Sequence, residues 1–214
     1  MHTTPIKDLF QSNLQNNSEL PTKQKQVLKA ALELFAAQGV DNTSTKQIAQ
    51  LANVSEGTVY KRFKTKEQLF TAVLHPIIAI IPQVAQEFRQ VLINTEFTNL
   101  TDLLQTITLD RFDFAQANQQ ELRVIIREAL NQQELVLTIM TNVKREVLPT
   151  LYQQFDQLKE QHQLIAWDND RIFSYMLSTL IGSLVPTILL NQPRNNKVVA
   201  AQLIEFLNRG LTPS

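Results

Sequence analysis

Apolar residues recur along this chain at helical spacing nearly everywhere. Val27, Leu28, Ala31, Leu34 and Phe35 fall at i, i+1, i+4, i+7 and i+8, one continuous stripe of an amphipathic helix. That helix starts near Pro21-Thr22 and stops at Gly39, a residue suited to the position just past a helix C-terminus. Two short helices follow. Ser44 caps the first, with Gln47 three residues on to complete a capping box, and Ile48, Ala49 and Ala52 make its small apolar face. A sharp exit is expected at Asn53-Val54, because Asn tolerates left-handed backbone. Ser55 caps the second short helix, which turns Val59 and Phe63 inward and leaves Glu56, Gly57, Thr58, Tyr60, Lys61 and Arg62 to face outward or flank it. Another helix starts at Thr65, with Gln68 as its capping partner; Pro76 and Pro82 should bend or break it, since proline lacks an N–H and clashes with the preceding turn. Segments 82–94, 100–116, 119–130, 133–160, 168–190 and 196–209 complete the helical pattern. No alternating strand pattern or Asn-Gly hairpin signal competes with it.

The stretch STKQIAQLANVSEGTVYKRFKTK, Ser44 to Lys66, is a helix-turn-helix unit whose second helix can enter a DNA major groove. From about Lys23 to Phe70 the chain resembles the TetR family of bacterial transcription regulators. The resemblance is carried by T-S-T-K-Q-I-A, N-V-S-E-G-T-V-Y-K-R-F and K-T-K-E-Q-L-F, with Asn53 standing where the family often has Gly. It implies an all-α protein. Residues 1–20 are expected to be a disordered arm, 21–70 a three-helix DNA-binding domain, and 71–214 a larger helical ligand-binding and dimerisation domain.

Charge sharpens this picture. The formal net charge is zero, yet residues 21–75 hold eight Lys or Arg against four Asp or Glu. Residues 76–214 hold eleven against fourteen. The positive excess is concentrated where phosphates would lie. Lys23, Lys25 and Lys29 sit in the first turns of their helix, where the helix dipole disfavours cations, so they serve either a nearby polyanion or a solvated basic face. The Asn-, Gln- and Ser-rich residues 1–20 carry no apolar run of the kind a signal peptide needs. With no cysteine there is no disulfide and no thiolate chemistry, a composition that suits a cytoplasmic protein.

Catalytic constellations are missing from the sequence. Gly39, Gly57, Gly182 and Gly210 are too far apart to build a phosphate-cradling loop. His2, His75 and His162 have no neighbours at metal-ligand spacing, so neither a metal nor a cofactor is expected. An enzyme is therefore not expected. What the resemblance implies is a homodimeric regulator, most often a repressor, that binds a palindromic operator and is released by a small apolar or amphipathic effector. A transcriptional activator, or a helical protein-interaction module on the same scaffold, remains as the alternative.

Residue roles follow. Ser44, Thr45, Lys46, Ser55, Glu56, Gly57, Thr58, Tyr60, Lys61 and Lys66 are the DNA-binding candidates. Lys66 is given a phosphate contact because the corresponding family lysine makes one. Phe88, Phe112, Tyr152, Trp167 and Phe173, with Arg123 and Arg127, are candidates to line a ligand pocket between helices. The stretch Ile172–Pro193 is uncharged and long enough to span a bilayer, but its Ser, Thr and Pro residues favour a helix buried against a second subunit. Ser178, Gly182, Val185 and Leu189 there, with Leu203 and Leu207 on the last helix, are the expected dimer interface.

Overall fold

The computed structural model describes residues 4–129, 132–190 and 195–213. These residues form helices α1 (Ile6–Asn16), α2 (Thr22–Gln38), α3 (Thr45–Leu51), α4 (Glu56–Arg62), α5 (Lys66–Ile93), α6 (Leu100–Ala117), α7 (Gln119–Ala129), α8 (Gln133–Asn142), α9 (Leu148–Glu160), α10 (Asn169–Leu190) and α11 (Asn196–Leu211). Among the described residues there is no strand, and the all-α expectation holds.

Two expected helices have a different extent. Residues 66–93 are one helix, with Pro76 and Pro82 inside it. Each proline removes one backbone hydrogen bond, but Val73, Leu74, Ile77 and Ile80 are all buried around them, and that burial outweighs the loss. The segment expected to be helical from 133 to 160 is instead split into α8 and α9 by a wide π turn over Val143–Val147, just before Pro149.

The chain divides into two units, though not at residue 70. The first unit gathers residues 4–83 and 118–139; the second gathers 84–117 and 140–213. Each has its own apolar cluster. In the first unit Phe35 meets Phe70 edge-on, ring centroids 5.5 Å apart, inside a core that includes Leu28, Ile48, Val59, Leu69 and Val73. In the second unit Leu92, Leu103, Leu104, Phe155 and Ile172 are the most enclosed members of a core drawn from α5, α6, α9, α10 and α11.

Residues 6–16, expected within a disordered arm, form a helix of the first unit; residues 1–3 lie outside the described residues. The signal was there in Ile6, Leu9, Phe10 and Leu14, an i, i+3, i+4, i+8 stripe, and all four side chains are buried. Two polar contacts fix α1. The Ile6 amide donates to Asn118 Oδ1 at 2.5 Å, and Lys25 Nζ donates to the Gln15 carbonyl at 3.0 Å. Lys25 is thus a tether for α1, which leaves Lys23 as the exposed member of the basic turn. Helix α7 also belongs to the first unit, through Val124. Leu130, at the end of that expected segment, lies outside the described residues.

Candidate nucleic-acid interface and internal cavity

The turn from α2 into α3 depends on Gly39. Its φ of 85° and ψ of 161° lie in a region that essentially only glycine occupies, and an added Cβ would meet an Arg127 guanidinium nitrogen at 3.0 Å. Thr43, 2% exposed, donates to the Gly39 carbonyl at 2.7 Å and fixes the loop leading to α3.

Both caps form as expected. Ser44 Oγ accepts from the Gln47 amide at 3.2 Å, while Gln47 Oε1 accepts from the Ser44 amide at 2.9 Å. The turn follows with Asn53 at φ 53° and the Val54 amide donating to Ala49 O at 3.0 Å. Ser55 Oγ accepts from the Thr58 amide at 3.2 Å, and the two hydroxyls lie 2.9 Å apart. Val59 and Phe63 are buried, which sets the rotation of α4 and turns its other side to solvent.

On that outer side α3 and α4 are linked. Thr45 Oγ1 donates to Glu56 Oε1 at 2.9 Å and lies 3.1 Å from the Tyr60 hydroxyl. Ser44, Lys46, Ser55, Glu56, Gly57, Tyr60, Lys61, Arg62 and Lys64 are exposed, and Thr45, Thr58 and Lys66 are half-buried. Lys66 is less free than expected: its Nζ donates to the carbonyls of Asp41 at 3.1 Å and Thr43 at 3.3 Å. It ties the start of α5 to the α2–α3 loop and keeps one of its three N–H donors for other use. Thr65 caps α5 by accepting from the Gln68 amide, but Gln68 reaches back to the Lys64 amide, one residue earlier than the expected pairing.

The second unit holds a cavity of about 220 Å³, walled by apolar side chains of α5, α6, α9, α10, α11 and the π turn. Of the seven expected pocket residues it uses Phe88 and Phe173. Phe112 is 4% exposed and belongs to the core. Tyr152 stacks on Phe155 at 6.0 Å and its hydroxyl donates to Asp170; burial, with the neighbouring Asp170 carboxylate, pushes the phenol well above its ordinary range. Trp167 lies against Tyr175, with the Arg171 guanidinium 5.4 Å from its ring. Arg123 and Arg127 are on α7, in the other unit. The cation at this cavity is Arg111, whose neighbours Asp110 and Asp113 give that stretch of sequence the pattern of a solvated face.

On α10 and α11 the expected interface is partly corrected. Ser178 and Gly182 are exposed, Val185 and Leu189 half-buried. Leu203 and Leu207, however, are 6% and 4% exposed and face the cavity of their own chain. With Ala200 and Leu211 they form the inward stripe of α11, and this rotation turns Val198 and Phe206 outward, 50% and 64% exposed. Tyr175, Ile181 and Leu190 on α10 are also exposed. Helix α10 has a mean hydropathy of 1.7 over an 18-residue window of which only 17% is buried, so much of an apolar helix lies uncovered. Helix α5 also meets the length and hydropathy of a membrane span, with 44% of its window buried.

Among known proteins, residues 27–73 match the family of bacterial regulatory proteins, tetR family. The uncharacterized HTH-type transcriptional regulator YvkB of Bacillus subtilis is 46% identical over 50 residues, 23% of this chain and 26% of its own. The HTH-type transcriptional regulator RutR of Escherichia coli is 31% identical over 119 residues, 56% of this chain and 53% of its own. The matched region thus spans about half or less of these curated relatives. Among solved structures, a bacterial regulatory protein in the tetR family from Rhodococcus RHA1 superposes with a TM-score of 0.60 at 19% identity, over 91% of this chain and 100% of that one. FadR of Bacillus subtilis, solved in complex with stearoyl-CoA, gives 0.60 at 19%, over 86% and 97%. At that identity the likeness is one of fold.

Proposed function

We propose, for a chain that belongs to the TetR family of bacterial regulatory proteins, that it is a homodimeric transcriptional regulator whose α4 reads a palindromic operator and which a small molecule releases from DNA. The reading is that of a repressor. The observation that carries it is the capped α3–turn–α4 unit, whose outer side exposes Lys46, Lys61, Arg62 and Lys64 around Glu56, Gly57 and Thr58. Ser44, Thr45, Lys46, Tyr60, Lys61 and Lys66 are assigned phosphate contacts. Glu56, Gly57 and Thr58 are assigned base contacts, and Ser55 holds the helix start that presents them. The test is a footprint and binding curve on the DNA flanking the coding region, searched for an inverted repeat. A steep fall of affinity with salt is expected, because Lys and Arg contacts release counterions from the duplex. Binding without salt dependence would favour a protein-interaction module instead.

The assignment of Gly57 rests on what the fold does not require. Its backbone needs no positive φ, and an added Cβ would meet only Ser55 Oγ at 3.9 Å. Glycine inside a helix costs about 0.5–1 kcal/mol relative to alanine, so a bare position here supports close approach by something outside the chain. Gly57 is the second residue of α4, so Gly57→Ala is expected to stabilise the protein by at most about that amount while weakening operator binding. A variant that binds the operator as tightly as the parent would remove Gly57 from the interface.

Lys66 is expected to act on every duplex alike. Lys66→Ala should lower affinity for operator and random DNA together and flatten the slope of log affinity against log salt by about one unit. Because Lys66 also holds the Asp41 and Thr43 carbonyls, melting curves accompany the titration to separate a loosened loop from a lost phosphate contact. Altered sequence preference at an unchanged salt slope would overturn the assignment.

The dimer reading rests on the uncovered apolar face of α10 with Val198 and Phe206 of α11. A second copy fits this face better than lipid does, because Glu205 and Arg209 are exposed on α11 beside Phe206. Charged residues flanking an apolar patch suit the rim of a protein interface.

A further inference from the structure

We propose that the cavity of the second unit takes a compact, uncharged, largely apolar molecule carrying one hydrogen-bond acceptor, seated beside Arg111 and Thr108. This rests on the reading that the second unit receives the effector, and names the class of effector.

Size is the first argument. A dry apolar cavity of about 150 Å³ holds a benzene. At about 220 Å³ this one has room for a one- or two-ring molecule and falls well short of a long acyl chain. The wall chemistry is the second. Only Thr108 and Arg111 bring polar side chains to a lining otherwise made of residues such as Ile107, Leu151, Met176 and Leu180. Burying an uncharged apolar body there recovers transfer free energy, and one acceptor is enough to meet the polar corner.

Charge is the third argument, and it decides against an anion. The Arg111 guanidinium lies 4.0 Å from the centre of the Phe88 ring and 4.7 Å from that of Phe114. It donates through Nε at 2.8 Å and Nη2 at 2.5 Å to a single oxygen of Asp110. The two side chains keep 15% and 10% of their exposure, so the pair is largely withdrawn from water. Burial pulls Arg111 below its ordinary pKa, while Asp110 and, more weakly, Glu87 hold it charged. An incoming carboxylate would find a cation already answered by one carboxylate and within the field of a second. It would lose its hydration without gaining an unshared partner.

The wall itself shows a local departure from regular helix. Val143 and Val147 line the cavity from the two ends of the π turn, and Leu151 follows one turn on. In a regular helix residues four apart drift by about 40° per step. The wider turn takes back part of that drift and keeps the three side chains on one wall. Such turns often mark functional sites.

The experiment measures binding of four probes to the full chain by calorimetry: 2-acetylnaphthalene, naphthalene, 2-naphthoate and stearoyl-CoA. The neutral ketone is expected to bind roughly tenfold or more tightly than the carboxylate of the same shape, the order of cost of desolvating an unshared charge. Naphthalene should fall between them, and stearoyl-CoA should not compete. Leu180→Trp, which fills the cavity, should abolish binding of the ketone. Arg111→Lys should weaken the ketone while leaving naphthalene unchanged. Tighter binding of 2-naphthoate or stearoyl-CoA, no binding of the ketone, or a Leu180→Trp protein that still binds it would each overturn the inference. DNA release is read separately: a ketone that occupies the cavity but leaves the operator complex intact counts against effector control and leaves the ligand class standing.

Discussion

If the proposed dimer forms, the parent is expected to scatter as two chains and Gly182→Glu as a single chain of 24.5 kDa. Within one chain the substitution is harmless, since an added Cβ at Gly182 finds nothing within 4 Å and the position is exposed. Its effect can therefore arise only from what covers α10. Around it lie the exposed Tyr175, Ile181 and Leu190, and on α11 Val198 and Phe206. A second copy packed on that face would bury the new carboxylate without a partner, at a cost of several kcal/mol. Melting temperature should stay near that of the parent's monomeric form, and operator affinity should drop because a palindrome needs two recognition helices held together. A Gly182→Glu protein that still scatters as a dimer would place the interface elsewhere.

Phe35→Ala is expected to cost about 3–5 kcal/mol, the usual range for emptying a buried phenylalanine site. Phe35 is 1% exposed and its edge-on contact with Phe70 joins α2 to α5 inside the first core. The informative readout is hydrogen exchange, because it shows which helices share a fate. Amides of α1, α2 and α7 should lose protection together, since all three contribute to that core, while α9 and α11 keep theirs. If α7 instead followed α9 and α11, the division of the chain into these two units would be wrong.

Much of the DNA-binding region could be read from the sequence because its determinants are local. The Ser44–Gln47 capping box, the Ser55 cap, left-handed Asn53 and inward Val59 and Phe63 each depend on residues within a few positions of one another. Backbone sterics and hydrogen-bond satisfaction act over that range, so a short window of sequence contains the whole argument. The same holds for α6, α7, α10 and α11, whose limits lie within a residue or two of those expected.

Questions of partnership were settled only by the folded chain. Periodicity marked Leu203 and Leu207 as apolar but could not tell that they face their own cavity while Phe206 faces out, because α11 is apolar on more than one side. Arg123 and Arg127 stand beside an apolar run, yet Val124 packs α7 into the first unit, and neither arginine lines the cavity. Pro76 and Pro82 are helix breakers by local rules, and long-range burial around them keeps α5 whole. Arg111 looked like one charge among several, until Phe88, distant in sequence, closed over it. The sequence by itself determined where α2, α3, α4, α6, α7, α10 and α11 begin and end and how the turn between α3 and α4 is made, since short-range sterics and capping decide both. Tertiary structure alone decided which apolar faces meet and which charge lies buried at the cavity, because those energies belong to pairs of residues that no local pattern relates.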